Sequence, residues 1–103
     1  MKWFYTDGWG LGDFNTVITT ADSITLKDDE KRPFICVTAS AASKTVTLGL
    51  GEGDCAIVYN AGGSNAFTVK NVAGDTGTSV AAGKVALVMA SLTANATAVK
   101  VLN

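Results

Sequence analysis

Apolar and polar residues alternate with a period of two along most of this chain. "SITL" sets Ile24 and Leu26 on one side. "KTVTLGL" sets Val46, Leu48 and Leu50 against Thr45, Thr47 and Gly49, and "AFTVKNV" sets Phe67 and Val69 against Thr68 and Lys70. "TAVKVL" puts Val99 and Val101 opposite Ala98, Lys100 and Leu102. Two further runs, "PFICVT" and "DCAIVYN", are apolar on both sides. In "KVALVMASL", Val85, Leu87 and Met89 alternate with the smaller Ala86, Val88 and Ala90. Short runs of this kind, rich in Val, Thr and Ile, predict β-strands.

Turn chemistry separates the runs. "KDDEKRP" is a charged turn closed by the single proline, and "GLGEGD", "NAGGSN", "NVAGDTGTS" and "AAGK" supply residues that tolerate positive φ. No long stretch has the 3.6-residue period of a helix; "SAAS" at 40–43 reads as a loop or one helical turn. The pattern predicts an all-β domain of seven or eight short strands, a small β-sandwich or barrel, jelly-roll-like. A β domain of this size must cover or pair its edge strands. The many small side chains suit close packing about a symmetry axis, so the expected assembly is a homotrimer.

The chain has 103 residues, 48% hydrophobic and 17% charged, which fits one folded domain and not a disordered chain. Residues 16–103 form the expected β domain, preceded by an N-terminal arm over 1–15. The formal charge is −1 and the eight Lys and Arg are scattered, so no basic patch argues for nucleic acid or an anionic membrane. No run of eighteen apolar residues suggests a membrane span, and the first residues lack the apolar stretch of a signal peptide. Synthesis in a cytosol is the expectation, with Cys36 and Cys55 as small buried hydrophobes and not a disulfide.

Little in the sequence points to catalysis. There is no histidine, which removes the commonest general base and the commonest zinc ligand. "GLGEGD" lacks the Lys-Ser/Thr pair of a phosphate-binding loop and reads as a hairpin turn. Asp28, Asp29 and Glu30 are flanked by Lys27, Lys31 and Arg32, and their spacing is not that of a calcium loop. No catalytic residue, metal ligand or cofactor is expected, and the chain reads as a non-enzyme.

The stretch "KTVTLGLGEGDCAIVYNAGGSNAFTVKNVAGDTGTSVAAGKVALVMA" resembles the β-structured modules of tailed-phage virions, those of capsid decoration (cement) proteins, head fibres and tail fibres. The likeness lies in T-V-T-L, a Gly-rich turn, a strand ending "YNAG", then "NAFTV" and "AAGKVALV". It extends over roughly residues 21–102. Many such modules carry Pro after "VTL", where this chain has Gly49. The resemblance implies a trimeric, non-enzymatic structural protein on the outer surface of a bacteriophage capsid. It would be assembled in the host cytoplasm, with the major capsid protein as partner. The alternative is a receptor- or carbohydrate-binding fibre or tail module, for which Tyr59 and Asn60, with Asn65 nearby, are the candidate residues.

The N-terminal arm stands out within this reading. Trp3, Phe4, Tyr5, Trp9 and Phe14 are five of the eight aromatic residues of the chain, interspersed with Gly8, Gly10 and Gly12. Burying these rings yields less than ordering the whole arm costs, so a surface must also supply backbone hydrogen bonds. Trp and Tyr are enriched at binding hot spots. The five rings are therefore the candidate partner-binding residues. They dock either on the capsid or on the protein's own core or trimer interface.

Overall fold

A computed structural model describes residues 15–90 and 97–102. Among the described residues there are nine strands: β1 (Asn15–Thr20), β2 (Ile24–Thr25), β3 (Phe34–Ala39), β4 (Lys44–Thr47), β5 (Cys55–Asn60), β6 (Phe67–Lys70), β7 (Thr78–Val80), β8 (Val85–Ala90) and β9 (Thr97–Leu102). They form a five-stranded sheet in the order β1-β3-β5-β8-β9 and a four-stranded sheet in the order β2-β4-β6-β7. The all-β expectation holds; of sandwich and barrel the structure takes the sandwich-like form, with nine strands among the described residues and not seven or eight.

The connectivity within the two layers is a coil. The first six strands alternate between the sheets, so neighbours within a sheet are two strands apart in sequence and run parallel. Asn15 lies opposite Phe34, and Phe34 opposite Ile57, steps of 19 and 23 residues. In the other sheet Ile24 lies opposite Val46 and Lys44 opposite Phe67, steps of 22 and 23. Only the last three strands pair antiparallel: β7 on β6, β8 on β5 and β9 on β8. A jelly roll is built from antiparallel Greek keys, and these parallel turns depart from it. Turn residues mark where strands end but carry no information on which strands pair.

One contiguous core lies between the sheets. The five-stranded sheet contributes Ile35, Val37, Ala39, Ala56, Val58, Ala86, Val88 and Ala90. The four-stranded sheet and its extensions contribute Leu26, Val46, Leu48, Leu50, Phe67, Val69 and Val80. Alanines on one wall leave room for Leu and Phe on the other, which suits dense packing in a small protein. Ile18 and Ile24 of the first turn, and Val99 and Val101 of β9, pack against this core while partly exposed.

The turns are tied by specific bonds. Asp28–Glu30 forms a single 3-10 turn. There the Lys27 N–H donates to Glu30 Oε1 at 2.8 Å, Lys31 Nζ meets Asp28 Oδ1 at 3.1 Å, and Arg32 Nε donates to the Asp29 carbonyl at 3.2 Å. The acidic run is thus engaged with its own neighbours. The "SAAS" stretch is a bend ending at Ser43, whose φ is 60°.

Candidate functional site: the outer face of the five-stranded sheet

The aromatic residues singled out from the sequence, Trp3, Phe4, Tyr5, Trp9 and Phe14, lie outside the described residues. The surface that stands out within them is the side of the five-stranded sheet turned away from the core.

Strand parity creates it. Because side chains alternate across a strand, the buried Ile35, Val37 and Ala39 of β3 force Phe34, Cys36 and Thr38 outward. Likewise Ala56, Val58 and Asn60 of β5 turn Cys55, Ile57 and Tyr59 out. Ala86, Val88 and Ala90 of β8 turn Val85, Leu87 and Met89 out. The smaller residues of β8 face the core and the larger ones face away from it. The register aligns these side chains in rows. One runs Asn15, Phe34, Ile57, Leu87, Lys100, and the next Val17, Cys36, Tyr59, Val85, Leu102.

No charged residue points outward from the three central strands, β3, β5 and β8. Among the described residues, six of the seven exposed large hydrophobics sit on this face: Val17, Phe34, Tyr59, Leu87, Met89 and Leu102. Met89 is 51% and Leu87 37% exposed. With six-residue strands at about 3.3 Å per residue and four inter-strand spacings of about 4.8 Å, the face measures roughly 19 by 20 Å. A patch of a few hundred Å² is of the order of the largest on a typical small protein, and such a patch is often functional. Cys36 and Cys55 both lie on this face and are only half-buried, which corrects the expectation of buried thiols. They sit on the outward parity of strands whose other side fills the core, and they are not joined in a disulfide.

The polar residues considered for a glycan site are engaged elsewhere. Asn60 is fully buried; its Nδ2 donates to the carbonyls of Asn65 and Val80, both at 2.9 Å, and its Oδ1 accepts from Gly62 N–H at 3.0 Å. Asn65 Nδ2 donates to the Ala39 carbonyl at 3.0 Å. Both amides lock the turn after β5 onto its neighbours, and only Tyr59 faces outward. "GLGEGD" is equally occupied, with Gly53 N–H bonded to the Ala90 carbonyl at 2.9 Å and Ala90 N–H to the Asp54 carbonyl at 2.8 Å. Among the described residues no group of three or more Cys, Asp or Glu is placed to hold a metal ion. The grooves lie at loops, such as the one between Asp75–Thr78 and Val99, and are lined largely by turn residues.

The outer face escaped the sequence reading, although its signal was present. Two of its strands are apolar on both sides, and a strand needs only one such side to fill a two-layer core. No family model, curated protein or solved structure matches this chain.

Proposed function

We propose that this chain is a structural, non-catalytic virion protein that binds the outer surface of a phage capsid and decorates or stabilises it, acting as a homotrimer. The observation that carries the self-association in this reading is the uncharged apolar face spread over three adjacent strands of a two-layer frame. A surface of that composition suits permanent association with protein, since its centre lacks charge and its edges carry Asn15 and Lys100. The resemblance of residues 21–102 to phage decoration and head-fibre modules gives the assembly its class. The aromatic arm, with Trp3, Phe4, Tyr5, Trp9 and Phe14, supplies the anchor to the capsid protein, and three arms on one trimer add avidity without new contacts.

The test is co-sedimentation with phage particles for the full chain and for a variant lacking residues 2–14, with trimer melting measured alongside. Loss of particle binding with an intact trimer supports the arm as anchor. A full-length chain that never comigrates with particles removes the virion reading.

A further inference from the structure

The geometry points to the outer face of the five-stranded sheet as the self-association surface, occupied by two further copies of this chain arranged about a threefold axis. The inference rests on the self-association in the proposed function and is independent of capsid binding.

Five strands make a wall about 19 Å across, and three such walls closed into a triangular prism place the axis about 5.5 Å from each backbone plane. Two packed sheets stand about 10 Å apart, so each contributes a side-chain layer about 5 Å deep. The side chains of three walls therefore meet at the axis without leaving a channel. The distribution of bulk matches this shape. Phe34, Ile57, Tyr59, Leu87 and Met89 lie on the three central strands, which face the axis. The narrow corners receive the smaller Asn15, Val17 and Thr19 of β1. Lys100 and Leu102 of β9 also lie at a corner; Leu102 adds apolar surface there, and the Lys100 stem can follow it while the ammonium reaches water.

The edges of the sheet favour the same arrangement. β1 and β9 are both six residues long and both are edges of this one sheet, whereas the edges of the other sheet are the two-residue β2 and the three-residue β7. β1 reads "NTVITT", with no charge, proline or glycine to discourage pairing. Stacking two copies face to face covers the apolar side chains but leaves both long edges open. A threefold ring sets β1 of each copy against β9 of the next at every corner, so the heterologous contact closes and neither long edge of this sheet is left uncovered.

The experiment is light scattering coupled to gel filtration on the full chain, with Leu87→Lys, Met89→Lys and their double variant. Thiol modification is read in parallel, because both cysteines lie on the face. The unmodified chain is expected at three times its 10.5 kDa mass. Cys36 and Cys55 should then react several-fold more slowly than after dilution to monomer. The lysine variants are expected as monomers that keep the β-sheet circular dichroism of the parent, since both side chains are exposed in the protomer. A variant that loses that signal is set aside in favour of the dilution series, which needs no substitution. A parent that is monomeric or dimeric, a double variant that stays folded and trimeric, or thiols whose reactivity ignores dilution through trimer dissociation would each overturn the inference. So would a trimer that is lost on removing residues 2–14 yet survives both lysines. A trimer that fulfils every expectation here but does not bind particles leaves this interface standing and sinks only the virion reading.

Discussion

Asn71 and Leu50 hold each other by two hydrogen bonds. The Leu50 N–H donates to Asn71 Oδ1 at 2.7 Å, and Asn71 Nδ2 donates back to the Leu50 carbonyl at 3.1 Å. A side-chain amide thus takes the role of a strand partner just beyond β4, where the chain leaves the sheet. Asn71 is buried, and its own N–H is bound by Asp75 Oδ2 at 3.0 Å. Asn71→Ala would strand both polar groups of Leu50. The expected loss is about 2–4 kcal/mol in urea unfolding, from two buried groups left without partners. A loss below about 0.5 kcal/mol, the range of an ordinary surface substitution, would show that the pair contributes nothing.

Asn60 performs a similar task after β5, with three bonds instead of two. Asn60→Leu keeps the branched skeleton, with bulkier methyl tips, but supplies no donor or acceptor to Asn65, Gly62 or Val80. Stability should fall by about 2–4 kcal/mol. Asn65→Ala removes one bond at a partly exposed site and should cost only about 1 kcal/mol. Equal losses from the two substitutions would contradict this assignment.

Two glycines with similar backbones should respond differently to alanine. Gly77 has φ +84°, and a Cβ there would lie 2.5 Å from Thr68 Cγ2 and 3.2 Å from the Val69 carbonyl oxygen. Gly83 has φ +77° with nothing within 4 Å of the same position. Gly83→Ala pays only for the left-handed conformation, about 1–2 kcal/mol. Gly77→Ala adds a steric clash and should lower stability by about 1–3 kcal/mol more. Thr68→Ser, which deletes the offending methyl, should recover part of that difference in a double-mutant cycle.

Size alone does not decide which aromatic matters to the fold. Phe67 is buried between the sheets, so Phe67→Ala is expected to cost about 3–5 kcal/mol. Tyr59 is 42% exposed on the outer face, and Tyr59→Ala should change protomer stability by less than about 1 kcal/mol, in the manner of a surface substitution. Thermal melts of the two variants under dilute, dissociating conditions would separate them. A Tyr59→Ala protomer as unstable as Phe67→Ala would place Tyr59 in the folding core.

The parts of the fold that were legible in the sequence are those where one side of a strand is polar. Val46, Leu48 and Leu50, and Phe67 and Val69, are inward as their alternation predicts, because Thr and Lys on the opposite parity leave no choice. In β3 and β5 both parities are apolar, so alternation could not choose a side. In β8 it offered two apolar sets, and the smaller one, Ala86, Val88 and Ala90, fills the core. The space between the sheets, already occupied by Phe67 and the leucines, sets that preference, and a single strand carries no record of it. The coil was hidden for a related reason: partners such as Phe34 and Ile57 are 23 residues apart, beyond any turn signal. The candidate site divides the same way. The aromatic arm is conspicuous in composition but lies outside the described residues. The outer face becomes visible only once the register brings Phe34, Ile57 and Leu87 into one row.

The coiled path also sets the tempo of folding. Only β6 with β7 and β8 with β9 are neighbours in sequence that also pair. Each remaining pair must wait for a loop of a full turn or more to close, which places such a chain among the slower small domains, folding in roughly milliseconds to seconds. During synthesis β1 emerges first, yet its partner β3 follows only after β2 and the acidic 3-10 turn have been made. The chain therefore passes through an interval in which its least protected strand has nothing to pair with. Until β3 arrives, β1 of one nascent copy is open to pairing with the same strand of another.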